Sequence, residues 1–173
     1  RDVTDIRSFY GTALGQAAAR LIGARLNDAW GPLTGQDVRG RGYAAPGLDE
    51  RRDARRAVCA RPHGQGAEAW PRAGRCRTTL VEDETLPFAT GVFDRILAVH
   101  AIEEANDPLA LVRELGRVLK PSGRMVLAVA GRGGLAVCGE YVVETEALRR
   151  LRPPQASARD RFGHETCLVV ALQ

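Results

Sequence analysis

The stretch that most constrains the fold is Val81 to Ala130, VEDETLPFATGVFDRILAVHAIEEANDPLALVRELGRVLKPSGRMVLAVA. The run from Phe93 to Val99 closes on four consecutive apolar residues, Ile96, Leu97, Ala98 and Val99, as in a strand buried on both faces of a parallel sheet. A helix is predicted next: Asp107 supplies the N-cap, and Pro108 fits the first position because its missing N–H would be orphaned there. Leu111, Val112, Leu115, Val118 and Leu119 then recur at spacings of three and four, giving one apolar stripe. Pro121 is expected to stop the helix, with Ser122 and Gly123 turning the chain into a second apolar strand, Met125 to Ala130. Strand, helix of roughly four turns and strand make one right-handed crossover unit, so the fold class is α/β.

These residues also carry a resemblance. LPFATGVFDRILAVHAIEEANDPLALVRELGRVLKPSGRMVLAV resembles the second half of the nucleotide-binding domain of class I S-adenosylmethionine-dependent methyltransferases. It is closest to the small bacterial type, whose pattern runs LPF, FD, a strand, H-A-x-E, DP and a helix ending in KPGG. The resemblance is tight over about a quarter of the chain and loose over about two thirds. It implies a doubly wound, mostly parallel, Rossmann-like sheet with helices on both faces and an antiparallel last strand. It also implies one domain over 1–173: an N-terminal helix (1–31), a cofactor-binding core (35–130) and a shortened C-terminal part (131–173).

A chain of 173 residues, 45% hydrophobic, is long enough to bury a sizeable core. No apolar run reaches membrane-spanning length and no signal-peptide pattern is present, so a soluble, cytoplasmic protein without a membrane partner is expected. The first residue is Arg1, so residues upstream of it are expected. Cys59, Cys76, Cys138 and Cys167 form no CxxC or Cys/His ligand cluster; they read as buried reduced thiols, and no metal site is expected. The net charge of +4 invites a nucleic-acid partner, but every basic residue except Lys120 is arginine, scattered along the chain. The two clusters, Arg51, Arg52, Arg55, Arg56 and Arg72, Arg75, Arg77, read first as solvated faces.

Along the chain, Thr4 or Asp5 can cap an opening helix whose apolar residues Tyr10, Leu14, Ala18, Leu21, Ile22, Leu26 and Trp30 share one face; Gly31 and Pro32 end it. In the resembled enzymes a Phe-Tyr pair such as Phe9 and Tyr10 packs near the cofactor mouth, while a plain core role is the alternative. GQDVRGRGYAAP, Gly35 to Pro46, stands where that family has its first strand and glycine loop. Gly40 and Gly42 provide a GxG, which lets backbone approach a ligand and leaves N–H groups for a carboxylate. Asp37, Arg39 and Arg41 surround the single apolar Val38. Burying unpaired charge is costly, so these residues must pair, reach an edge, or mark a short and poorly formed strand.

Asp49 to Arg61 reads as a helix running into the short strand AVCA. The acid that would take ribose hydroxyls is missing after it, where Arg61, Pro62 and His63 stand. A loop with Trp70 as anchor leads to a strand at Thr78 to Val81, which delivers Glu82, Asp83 and Glu84 to the ligand end of the sheet. By the resemblance, Glu82 and Asp83 lie at the adenine, and water-facing carboxylates are the alternative. His100 ends the next strand with Glu103 and Glu104 a turn beyond. The H-x-x-E run lacks the second histidine of a helical zinc site, whereas His100 suits a general base. After Ala130 a helix TEALRRL capped by Thr145 and a closing strand Thr166 to Leu172 are expected.

The leading hypothesis is an S-adenosylmethionine-dependent methyltransferase with an unidentified methyl acceptor. Gly40, Gly42 and Tyr43 are assigned to the methionine end, Glu82 and Asp83 to the adenosine end, and His100 to the transferred methyl. One alternative is a pseudoenzyme, a methyltransferase-like binding or scaffolding subunit with a protein partner, suggested by the charged first strand and the missing ribose acid. A third is an RNA-binding module using the arginine clusters.

Overall fold

A computed structural model describes residues 3–49, 53–66, 68–71, 73–82 and 85–128, together with the backbone of two further strands, Cys138–Val143 and Cys167–Leu172. The elements are α1 (Val3–Gly11), α2 (Ala13–Trp30), β1 (Asp37–Gly42), α3 (Ala45–Asp49), β2 (Arg56–Pro62), β3 (Thr78–Val81), β4 (Phe93–Val99), α4 (Pro108–Val118), β5 (Leu119–Ala128), β6 (Cys138–Val143) and β7 (Cys167–Leu172). The sheet order is β3-β2-β1-β4-β5-β7-β6. The five strands β1 to β5 pair in parallel and form the Rossmann-like core. β7 pairs antiparallel with β5 and parallel with β6.

Helices cover both faces of the sheet. On one, Ile22, Leu26 and Trp30 of α2 and Leu48 of α3 pack against Val38, Ala57, Cys59, Leu97, Val99 and Val126. On the other, Leu111, Val112, Leu115 and Val118 of α4 pack against Ile96, Ala98, Met125 and Leu127. The α4 stripe and cap are as the sequence predicts: Asp107 Oδ1 accepts from the N–H groups of Leu109 and Ala110 at 3.0 and 2.9 Å. The helix ends at Val118, three residues before Pro121, because Leu119 already lies in extended conformation beside Phe93.

The single N-terminal helix expected over 1–31 is instead two. Thr12 takes an extended conformation, its hydroxyl accepts from Gly15 N–H at 3.1 Å, and Gly15 leaves room for the Phe9 and Tyr10 backbone to cross closely. The buried stripe of α2 is accordingly Ile22, Leu26 and Trp30, while Leu14 and Leu21 are exposed. Tyr10 is released from that stripe to lie elsewhere.

The helix expected from Asp49 ends, as described, at Asp49, and β2 is longer than AVCA. Asp37 draws Arg55 and Arg56 to the start of β1 through paired guanidinium–carboxylate hydrogen bonds, and Gln36 O accepts both of their N–H groups. Asp53 accepts from Leu33 N–H at 2.7 Å. These bonds bring 53–56 to the entry of β1, where Ala54 bridges Thr34 and Arg56 pairs with Asp37. Trp70 anchors its loop as expected, donating from Nε1 to Asp49 Oδ1 at 2.6 Å. Cys59 is buried, and burial pushes its thiol up to about 12; Cys76 is exposed, contrary to expectation. The expected helix at TEALRRL lies outside the described residues. Among the described residues no helix is long and apolar enough to cross a membrane.

The largest departure from expectation is β1. It is neither short nor at an edge: all six residues are buried between β2 and β4. Because side chains alternate along a strand, Val38 and Gly40 face α2 and α3, while Arg39 and Arg41 face α4 and are fully buried. The Arg39 guanidinium lies 5.2 Å from the Phe88 ring centroid, and its three nitrogens have no hydrogen-bond partner among the described residues. Burial, reinforced by Arg41, pulls its pKa down to about 9.

A lone buried cation costs more than a thioether of similar size, so Arg39→Met is predicted to raise stability by roughly 1–4 kcal/mol. The check is a higher denaturant midpoint at unchanged m-value. The carboxylates behave oppositely. Hydrogen bonds from Arg56 and Arg55 hold Asp37 well below the usual range, and hydrogen bonding to Arg117 lowers the pKa of Glu114. A depressed carboxylate pKa means that the native state binds fewer protons than the unfolded one, so this stability is complete above pH of about 4.5 and is lost as pH falls further. Denaturation at pH 7 and pH 3 is predicted to show that loss, with a smaller difference in Asp37→Asn.

Candidate functional site

Winding reverses between β1 and β4, and in doubly wound sheets ligands lie outside the carboxyl ends of the strands at such a point. Gly42 ends β1 there with φ of 65°, and a Cβ on it would overlap the Val99 carbonyl oxygen. The missing side chain lets Tyr43 N–H reach Val99 O at 2.9 Å. His100 follows directly with φ of 50°, a conformation uncommon for a residue with a side chain, fixed by its N–H on Ala128 O at 3.1 Å. Gly40 lies one pleat below; a Cβ there would meet Ala44 at 2.8 Å and Leu48 at 2.9 Å, so its absence seats α3 on the strand.

Three predicted residues, Gly42, Tyr43 and His100, therefore converge, and α1 brings Tyr10 to them. The Tyr10 ring stacks on Tyr43 with centroids 5.1 Å apart and planes 19° apart, and Phe9 meets Tyr10 edge-on at 5.2 Å. The Tyr10 hydroxyl is 3.0 Å from His100 Nε2, and His100 Nδ1 is 2.7 Å from Glu103 Oε1. Both ring nitrogens of His100 are thus engaged.

Glu82 follows β3, two strands from Gly42 and roughly 10 Å away by strand spacing. Register places both at the carboxyl edge of the sheet. Its side chain is 79% exposed and lies 3.7 Å from His63 Nε2. Asp83 lies outside the described residues.

Arg61 stands between the two ends, at the close of β2, in the place of the missing ribose acid. It is fully buried, 5.3 Å from the Tyr43 ring centroid and 3.9 Å from Glu68 Oε2, while Glu68 Oε1 lies 3.6 Å from Arg7. Arg61, Tyr43, Asp49, Glu68 and Trp70 line a cavity of about 60 Å³, and a second of about 20 Å³ lies between Tyr10, Ile22, Tyr43 and Val99. Pockets for ligands of adenosyl size run to several hundred Å³. In this arrangement the crevice is closed over by Tyr10 and Arg61. The donor set suits an adenosyl group in kind, with backbone access at Gly42 and a solvent-exposed carboxylate at Glu82, once Tyr10 leaves Tyr43.

Arg61 was readable as a lone cation closing an apolar strand at the ligand end. Glu68 carried no signal, because its approach depends on the course of the loop.

Comparison with known proteins agrees with this fold. Residues 40–127, half of the chain, match the family model described as Methyltransferase domain, and the chain belongs to that family. It is 32% identical over 112 residues to Methyltransferase GfsG of Streptomyces halstedii, covering 64% of this chain and 36% of that protein. It is 35% identical over 66 residues to Uncharacterized protein YafE of Escherichia coli (strain K12), covering 38% and 32%. The chain spans about a third of the length of these curated relatives.

Among solved structures, PH0226 protein from Pyrococcus horikoshii OT3 matches with a TM-score of 0.54 at 16% identity, over 69% of this chain and 60% of that one. A SAM dependent methyltransferase from Aquifex aeolicus matches with a TM-score of 0.52 at 18% identity, over 75% and 73%. At these identities the likeness shows the fold.

Gly42→Ala combines a left-handed backbone with a side-chain overlap on Val99 O. It is predicted to cost about 2–4 kcal/mol, read from chemical denaturation.

Proposed function

We propose that this chain is the cofactor-binding domain of an S-adenosylmethionine-dependent methyltransferase with an unidentified acceptor. The observation that carries the reading is the convergence of Gly42, Tyr43 and His100 at the switch point, on a chain of the methyltransferase domain family. In this reading one domain spans 1–173, its last strand antiparallel to β5. Gly40 and Gly42 bring the backbone to the methionine end, where Tyr43 covers it. Glu82 and Asp83 take the adenosine end, and His100 lies beside the transferred methyl. The cofactor, when bound, supplies an electrophilic methyl group; the chain supplies position and proton removal. A cytoplasmic location without a membrane partner goes with this reading.

A second reading is favoured by Arg61, a buried cation where the ribose acid is missing, and by the small cavities around it. There the domain is a noncatalytic subunit bound to a protein partner. Calorimetry with S-adenosylhomocysteine separates the two. Saturable binding below millimolar concentration, weakened at least tenfold by Glu82→Ala, is the outcome expected of a methyltransferase. No heat of binding at millimolar ligand, with a protein partner retained on purification, supports the second.

A further inference from the structure

We propose that the amino edge of the sheet, where β2 and β3 begin, is a docking surface for the phosphate backbone of double-stranded nucleic acid. Its residues are Arg55, Arg56, Arg75 and Arg77, which belong to two clusters separate in the sequence. The fold joins them. β2 and β3 pair in parallel with Cys59 opposite Thr78, and Cys59 N–H donates to Arg77 O at 2.9 Å. The chain entering β3 therefore runs beside the chain entering β2 at one strand spacing, about 5 Å. All four arginines are exposed.

The surface is held in place from beneath. Buried Asp37 accepts from Nε of both Arg55 and Arg56 at 3.0 Å, so one carboxylate orders two guanidiniums and leaves one positive charge in excess. Both side chains stay open to water, at 55% and 68% exposure. On the β3 side, Arg77 N–H donates to Trp70 O at 2.6 Å, which fixes the backbone at Arg77. Among the described residues no carboxylate pairs with Arg75 or Arg77. Charges ordered before contact lose less freedom on binding than mobile ones.

Chemistry selects the partner. Guanidinium forks match phosphate oxygens in pairs and keep their charge throughout the working pH range. Protein partners are gripped by buried aromatic or aliphatic anchors, and the large exposed apolar side chains stand elsewhere: Phe9, Leu14 and Leu21 on α1 and α2, and Leu80 about 10 Å beyond Arg77 along β3. Single strands are held by stacking bases on exposed aromatic rings, and Phe9 is the one such ring among the described residues. A duplex, contacted through its backbone alone, needs neither.

This edge is remote from the candidate cofactor site. β2, Arg56–Pro62, separates the two by roughly 20 Å, since Gly42 and His100 stand at the carboxyl ends of the strands. Occupying it requires no movement of Tyr10 or Tyr43. Such docking is compatible with a methyltransferase and with a noncatalytic subunit alike.

The test is fluorescence anisotropy with labelled RNA and DNA duplexes of about 20 base pairs, at salt concentrations from about 50 to 300 mM. Binding is expected at low salt, with log K falling against log salt at a slope of roughly −3, four guanidiniums less the charge that Asp37 neutralises. Arg75→Ser with Arg77→Ser is expected to reduce that slope by about 2 and to weaken low-salt binding at least tenfold, whereas the charge-conserving pair Arg75→Lys with Arg77→Lys retains the slope. Arg20→Ser with Arg113→Ser removes the same charge from exposed positions on α2 and α4 and is expected to leave the slope unchanged. Binding of either duplex supports the surface, and the tighter of the two names the source. Absence of duplex binding at low salt, equal losses in the two serine pairs, loss in the lysine pair, or tighter binding of a single strand or of polyglutamate overturns it.

Discussion

The structure depends on the close passage of β1 beside β4 at the point where the sheet reverses its winding. Gly42 permits it: only a residue without Cβ can hold a φ of 65° against the Val99 carbonyl. Once Tyr43 N–H is tied to Val99 O, two consequences follow. The Tyr43 ring is fixed above the crevice, and His100, the residue after Val99, is brought beneath the same ring system. Thr12 supplies the third element by turning α1 back so that Tyr10 lands on both. A capping hydroxyl, a glycine and a strained histidine thus assemble the site from three separate parts of the chain.

Charge is the opposing theme. A central strand buried on both faces is normally apolar, yet β1 carries Asp37, Arg39 and Arg41. Asp37 is satisfied by two arginines at the rim, where partial exposure makes pairing inexpensive. Arg39 sits deep against Phe88, and Arg61 against Tyr43, where a ring face replaces hydrogen bonds. Such substitutes are weaker than the hydration they displace, so the sheet forms in spite of these residues, through the apolar faces of α2, α4, β4 and β5. Arg61 adds a functional consequence, since it occupies the ligand end of the sheet.

How much was visible in the sequence follows from which forces are local. The unit from β4 through α4 to β5 was readable because Ile96 to Val99, the Asp107 cap and the Leu111, Leu115, Val118 stripe are determined by neighbours along the chain. The convergence of Gly42, Tyr43 and His100 came through family resemblance, since pattern alone does not say which strand ends lie together. The break at Thr12 was missed because Gly11 to Gly15 looks like a tolerable helix interior until Phe9 and Tyr10 are seen crossing Gly15. The strand start at Arg56 was missed because a run of arginines reads as helix unless Asp37 is known to lie opposite. Likewise the pairing of Glu103 with His100 depends on the ring orientation of His100, which no spacing rule supplies.

Taken together, the domain is a methyltransferase fold in which α1 lays Tyr10 across the β1–β4 junction, and the proposed cofactor site lies where Tyr10 stacks on Tyr43. A crystal structure of the protein grown with S-adenosylhomocysteine is the most direct measurement of that claim. The account predicts the ligand along the carboxyl edge from Gly42 to Glu82, with the Tyr10 ring moved off Tyr43. An unchanged Tyr10–Tyr43 stack, with the ligand absent or bound away from that edge, would contradict it.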